Sequence, residues 1–251
     1  MRGLVKNCLN AIRENLPSLD YEIIVVDNNS EDNIQQFLES QFPDVRFISS
    51  STNLGMGGGN NLGIREARGD YILILNPDIF VYDNAIIKLL DHLKANPDIG
   101  LIAPRLLNGD KTLQYTAYRW HRFFTPIVRR TFFGKISFGK RELSRFLITD
   151  WDHLDIREVD WIQGSCILLP KKVFDEVGLF DDKFFMYFED TDLCRRIKKH
   201  NYKNVYYADA EVIHLHSRQS GGGVLQVVFN RLTRTHIISW FKYLWKWRNS
   251  V

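Results

Sequence analysis

Three cysteines in 251 residues, Cys8, Cys166 and Cys194, lie far apart, make no CxxC pair and leave an odd one over. That usage argues against both a disulfide-stapled scaffold and a zinc knuckle, and it suits a reducing cytosol. Nowhere does an apolar run approach the ~18 consecutive residues of a membrane span, and residues 1–8 hold no apolar stretch of signal-peptide length. The formal net charge of +3 is too small to imply a nucleic-acid partner. No register of the glycine-rich stretch at 53–63 gives GxGxxG, and no GxxxxGK[ST] occurs, which disfavours a dinucleotide fold or a P-loop.

What is present is an alternation. Short β-branched runs at 21–26, 45–48, 71–75 and 99–103 read as strands, with amphipathic stretches at 4–15, 33–40, 60–68 and 84–96 around and between them. Continuous apolar strands separated by helices predict an α/β fold with a mainly parallel central sheet covered by helices, and ligands at the carboxyl ends of its strands. Residues 105–158 show few apolar periodicities and read as a long excursion. Regular elements resume with a strand at 166–169, helices at 171–177 and 190–200, and strands at 205–207 and 211–214. Gly221, Gly222 and Gly223 predict a hinge between a body at 1–220 and a C-terminal segment at 221–251.

Several polar clusters fall at predicted strand ends. Asp27, Asn28, Asn29 and Ser30 follow the 21–26 strand, where Ser30 suits a helix N-cap and Asp27 a base or ribose. The glycines at 55, 57, 58, 59 and 63 would let backbone approach a ligand, with amides at the next helix start open to an anion. Asp78, in Asn76-Pro77-Asp78, projects from the end of the 71–75 strand, where Mg²⁺ could bridge one carboxylate to a diphosphate. Glu189, Asp190 and Asp192 crowd three acids behind the aromatic run Phe184, Phe185, Tyr187 and Phe188. Helix capping accounts for two of them, and the third reads as a general base of raised proton affinity. His214 and His216 alternate on a strand and share a face, so imidazole could join Asp78 on a cation, with Mn²⁺ favoured by nitrogen.

Taken in order, Val26-Asp27-Asn28-Asn29-Ser30, Asn53-Leu54-Gly55 with Asn60-Asn61-Leu62-Gly63, Leu75-Asn76-Pro77-Asp78, Trp161-Ile162-Gln163-Gly164-Ser165, Val177-Gly178-Leu179-Phe180-Asp181, Phe188-Glu189-Asp190-Thr191-Asp192-Leu193 and Ile213-His214 resemble the inverting family 2 glycosyltransferases, especially their rhamnosyltransferase-like branch. The resemblance runs from about residue 4 to 220. It implies a GT-A fold, a nucleotide-diphosphate sugar donor (dTDP-rhamnose for this branch), a divalent cation (Mg²⁺ or Mn²⁺), and a lipid-linked or polysaccharide acceptor in cell-surface glycan synthesis. On that resemblance Asp190, with Glu189 beside it, is catalytic; Asp27, Asn28, Asn53, Gly55, Asn60, Asn76, Trp161 and Gly164 serve the donor. Asp78 and His214 serve the metal, and Gln163 and Asp192 the acceptor. A catalytically silent nucleotide-sugar-binding scaffold is the alternative.

One departure stands out: relatives of this kind open with an apolar strand and a Tyr-Asn-type turn before the helix that here begins near Leu4. The expectation is a misplaced start or a fragment with impaired nucleotide binding, because that strand would lie centrally in the sheet. Two segments are basic and aromatic: 119–146 carries eight Lys/Arg against Glu142, and 224–247 carries Trp240, Phe241, Tyr243, Trp245 and Trp247 beside Arg231, Arg234, Lys242 and Lys246. They predict a peripheral location on the cytoplasmic face of an anionic membrane, with no nucleic-acid partner.

Overall fold

A computed structural model describes residues 2–215 and 231–249. Its elements run α1 (Arg2–Asn15), β1 (Ile24–Asp27), α2 (Ile34–Gln41), β2 (Arg46–Ser49), α3 (Gly55–Glu66), β3 (Tyr71–Leu75), β4 (Ile79–Val81), α4 (Ala85–Ala95), β5 (Ile99–Leu107), β6 (Leu113–Gln114), β7 (Ala117–Tyr118), α5 (Thr125–Arg130), a 3₁₀ turn (Phe132–Lys135), α6 (Ser137–Leu147), β8 (Arg157–Val159), β9 (Trp161–Ile162), β10 (Cys166–Pro170), α7 (Lys171–Val177), α8 (Glu189–Lys199), β11 (Lys203–His214) and α9 (Arg231–Lys246). The predicted hinge at Gly221–Gly223 and His216 lie outside the described residues.

The class is the expected one, an α/β fold with a central sheet between helices. Its pairing is mixed, however. The main sheet has the order β3-β10-β5-β11-β4, in which only β5 and β11 run parallel. The expectation of a mainly parallel sheet fails because β10 and β4 enter antiparallel, and a continuous apolar strand reads the same in either sense. β1 and β2 form a separate parallel ladder. Alternation along β3 sends Ile72 and Ile74 to the layer under α7 and α8, and Tyr71, Leu73 and Leu75 to the layer under α1 and α4. α1 spans two layers, with Val5 and Leu9 against α2 and β2, and Cys8, Ile12 and Leu16 against the main sheet.

Three local expectations are corrected. The glycine-rich stretch is the first two turns of α3 rather than a loop. Residues 105–158 hold the end of β5, three short strands, α5 and α6; their apolar periods are hidden because both helices are short and one face of each is exposed. The strands expected at 205–207 and 211–214 are one strand, β11, with a register shift between Tyr207 and Glu211. Ala208-Asp209-Ala210 has weak strand propensity, and the neighbouring strands impose the extension.

Candidate functional site

The carboxyl end of β3 organises the site. β10 pairs with β3 in the register Cys166 opposite Leu75, and Asn76 donates its amide to the Ser165 carbonyl at 2.9 Å. Gly164, one residue back, donates its amide to Asp190 Oδ2 at 3.2 Å. Two hydrogen bonds therefore connect the loop bearing Asp78 to the acids that open α8. On the other flank, β4 pairs with β11 in the register Ile79 opposite His214, which sets Asp78 Oδ1 3.3 Å from His214 Nε2.

Glycines in α3 let it lie against the acid-bearing segment. Each costs roughly 0.5–1 kcal/mol relative to alanine in a helix, so the run is explained by close approach. A Cβ at Gly55, whose φ is +77°, would fall 1.8 Å from the Phe185 carbonyl oxygen, and one at Gly57 would fall 3.0 Å from Phe180 Cβ. Met56 donates its amide to that same Phe185 carbonyl at 3.0 Å. Asn61, fully buried, completes the clamp: its amide nitrogen reaches the Phe180 carbonyl at 2.9 Å and Asp182 at 2.7 Å, and its oxygen accepts from Phe180 N at 3.0 Å. The glycines thus make room for protein, which corrects the expectation of a ligand-cradling loop. Asn61 was missed as a positioning residue because a buried clamp and a surface helix asparagine look alike in sequence.

Tyr187 and Phe188, at φ 70° and 69°, turn the chain into α8 through the left-handed region, which bulky residues rarely occupy. Phe188 anchors that turn in an aromatic cluster with Phe184, Trp240, Tyr243 and Trp247. Beyond it the three acids diverge. Glu189 is 4% exposed, its Oε2 has no hydrogen-bond partner, and burial with the Asp190 charge pushes its carboxyl well above the usual range. Asp190 is half-buried, and burial raises its proton affinity against the opposing hydrogen bonds from the Thr191 and Gly164 amides. Asp192 is fully buried and saturated: Arg196 Nε at 2.9 Å, Lys246 Nζ at 2.8 Å and Trp247 Nε1 at 2.9 Å. Its expected acceptor role is corrected, because every approach to the carboxylate is taken by protein cations and an indole.

The remaining predicted residues separate into two groups. Asp27, Asn28, Gly55, Asn60 and Asn76 line one continuous cavity of about 860 Å³. Within it Asp27 accepts from Ser30 N at 2.9 Å, and Asn28 grips the 53–55 turn through Asn53 Oδ1 at 3.2 Å, the Gly55 carbonyl at 2.8 Å and Leu54 N at 2.8 Å. Asn28 and Asn53 thereby brace the turn at the cavity mouth, and Asn60 turns its amide nitrogen to the Met56 carbonyl. Gln163 is half-buried and fixed by its amide to the Thr116 carbonyl at 2.9 Å. Trp161, expected in the cleft, is core: it is 6% exposed, stacks on Tyr118 and His121, and gives its indole N–H to the Arg119 carbonyl.

Asp78 and His214 form the candidate cation position. Gln114 on β6 accepts from His214 Nδ1 at 2.7 Å, which orients the ring with Nε2 toward Asp78. Gln114 was not foreseen, since it reaches His214 across 100 residues of chain. Among the described residues no group of three or more His, Cys, Asp and Glu side chains is placed to hold a metal ion. One carboxylate and one imidazole suit a divalent cation whose other positions are filled by substrate oxygens.

An α/β fold with an acidic cluster, a candidate cation pair and a long cavity along β1 and β3 fits the GT-A class of glycosyltransferases. The family described as Glycosyl transferase family 2 matches residues 2–147, and the chain belongs to it; the protein is a glycosyltransferase. Its sequence is 28% identical over 212 residues to N-acetylglucosaminyl-diphospho-decaprenol L-rhamnosyltransferase of Mycobacterium tuberculosis, covering 79% of this chain and 68% of that one. It is 27% identical over 247 residues to rhamnosyltransferase WbbL of Escherichia coli K12, covering 94% and 87%. The fold is shared with GalNAc-T7 crystallised with UDP, GalNAc and Mn²⁺ (TM-score 0.63, 13% identity, 88% of this chain and 42% of that one). It is also shared with the Pyrobaculum calidifontis mannosyltransferase PcManGT in complex with GDP-Man and Mn²⁺ (TM-score 0.56, 16% identity, 88% and 55%).

Proposed function

We propose that this glycosyltransferase moves rhamnose from dTDP-rhamnose to a hydroxyl of a lipid-linked or polysaccharide acceptor, with inversion, in cell-surface glycan synthesis. The observation that carries the reading is Asp190: half-buried at the first turn of α8, held by the Gly164 amide, with its proton affinity raised. A carboxylate so placed is a general base for an acceptor hydroxyl. As the acceptor oxygen forms its bond to the anomeric carbon, the bond to the diphosphate breaks. The hydroxyl proton passes to Asp190, and the electron pair leaves on the diphosphate. Asp27 and Asn76, at the carboxyl ends of β1 and β3, orient the nucleotide; Gln163 faces the acceptor side. Asp78 and His214 would hold Mg²⁺ or Mn²⁺, which would offset negative charge on the departing diphosphate. The rhamnosyltransferase names of two relatives support the choice of sugar.

Replacing Asp190→Asn is expected to lower transfer by about 10²–10⁴-fold while leaving the thermal shift given by dTDP-rhamnose and Mn²⁺ intact. Undiminished transfer by that variant would remove Asp190 from the chemistry.

The acceptor is met at the cytoplasmic face of a membrane. Among the described residues no helix is long and apolar enough to cross a bilayer. Phe123, Phe124, Phe132 and Phe138 are nevertheless exposed, as are Phe241 and Trp245 on α9, and the two segments meet through the Phe123 and Trp240 rings at 5.3 Å. Glu142 is the one acid among these residues, buried against Arg145. A basic surface carrying exposed rings supports binding to anionic lipid.

A further inference from the structure

Helix α5 is short, and Arg129 and Arg130 end it while its Pro126 and Val128 are buried. Arg129 is exposed yet lies along two rings, its Cζ 4.9 Å from the Phe146 centroid and 5.6 Å from that of Tyr118. His121 packs on the same Phe146 ring at 4.8 Å. Arg130 lies over Tyr187 at 5.5 Å, and His236 of α9 meets that ring at 4.8 Å. Phe188 closes the set, 4.8 Å from His121 and 5.3 Å from His236. Basic side chains from the 121 turn, α5 and α9 thus surround the Phe146, Tyr187 and Phe188 rings.

Among the described residues Arg129 has no carboxylate partner, because Glu142, the one acid in 119–146, is taken by Arg145, Arg122 and Thr125. Burial, then the Arg129 charge at His121 and the Arg130 charge at His236, pushes both imidazoles below their ordinary range, His236 to about 3. Both rings are therefore neutral at pH 7. His121 Nδ1 is buried and meets no hydrogen-bond partner among the described residues. Cation–π contact stabilises such stacking by only about 0.5–1 kcal/mol at an exposed site, which does not explain basic groups gathered without an acid. An anion does, and phosphate oxygens match the guanidinium fork.

The position of the cluster decides which anion. Phe188 lies just before Glu189 and Asp190, and His121 also stacks at 5.1 Å on Trp161, on the strand leading to the Gly164 amide that holds Asp190. The basic groups therefore back both segments that fix the base. Phe123 and Phe124, exposed just ahead of α5, continue the cluster as an apolar surface. A polysaccharide offers neither phosphate for the arginines nor hydrocarbon for those rings. A phosphodiester headgroup carries a single negative charge, whereas the diphosphate joining a sugar to a lipid carries a pair, matched by Arg129 and Arg130.

We propose that Arg129, with Arg130 and His121, forms the subsite for the diphosphate of a lipid-linked acceptor, whose sugar then reaches Asp190 and whose chain lies on Phe123 and Phe124. The proposal rests on Asp190 being the base, and it selects the lipid-linked acceptor over the polysaccharide.

Isothermal calorimetry on the 251-residue protein tests it, with EDTA present and no sugar donor, so that no cation at Asp78 and His214 holds the probe. Geranyl diphosphate is expected to bind at least about tenfold more tightly than inorganic pyrophosphate, because its chain covers exposed rings. Arg129→Gln is expected to weaken geranyl diphosphate by about ten- to a hundredfold, through loss of a charge-assisted pair. Lys140→Gln, which removes the same charge from the exposed surface of α6, is expected to leave binding unchanged. Absence of binding, undiminished binding by Arg129→Gln, equal weakening by Lys140→Gln, or equal affinity for pyrophosphate would each overturn the proposal. Nothing is transferred in this experiment, so its failure is separable from that of the proposed reaction: binding can fail while Asp190→Asn still stops transfer, and it stands if the sugar is not rhamnose.

Discussion

Glu189 and Asp190 are chain neighbours with opposite surroundings, and their difference is the residue-scale fact on which the chemistry turns. Asp190 has two backbone amides to stabilise its charge, whereas a buried Glu189 oxygen has no partner. Burial therefore favours the protonated form of Glu189 beside the base, and its contribution to stability depends on pH. Burial beside the Asp190 charge shifts its folded carboxyl well above the usual carboxylate range, so the native state favours a proton that the unfolded chain releases. Stability from this group is full below about pH 4.5 and falls as pH rises through the shifted value. Glu189→Gln, which cannot ionise, is expected to melt with wild type near pH 4 and above it at pH 7–8. Melting curves across that range check it, and a variant less stable than wild type at pH 8 would contradict the assignment.

Helix α8 is fitted to α3 through Gly57 and to α9 through Asp192 and the aromatic cluster around Phe188. The acidic cluster was legible in sequence as a site; the division of labour within it was not. Asp192 is taken from solvent by Trp247, 55 residues away, and by Lys246. The glycine-rich turns misled for a related reason: their low helix propensity is overridden by the approach to Phe180 and Phe185. Asp192→Ala leaves the Arg196 guanidinium and the Lys246 ammonium facing an empty site. A loss of about 3–5 kcal/mol in urea unfolding is expected, together with faster tryptic cleavage at Arg231 and Arg234 as α9 loosens. Unchanged cleavage would show that α9 is held by its aromatic face alone.

At the scale of the whole molecule, the segments 119–147 and 231–249 expose rings on one connected surface while α9 buries Trp240, Tyr243 and Trp247 against the body. The buried rings pack α9 on the body, and the exposed rings on its other face are the surface proposed to meet lipid. Phe241 and Trp245 are 56% and 70% exposed, so Phe241→Ser with Trp245→Ser is expected to change stability by less than about 1 kcal/mol. Flotation with anionic vesicles should fall several-fold and become more sensitive to salt. Flotation equal to wild type would place the lipid contact elsewhere.

By itself the sequence determined the α/β class, nearly all helix positions in the first hundred residues, and the polar clusters at strand ends, because periodicity and local punctuation are properties of short windows. Only the tertiary structure decided strand direction, the Gln114–His214–Asp78 chain, and the burial of Trp161 and Asp192. Each depends on what a distant segment places against a residue. The hydrophobic effect is indifferent to which apolar partner arrives, whereas hydrogen-bond geometry and charge burial are not, and those are settled when the chain closes on itself.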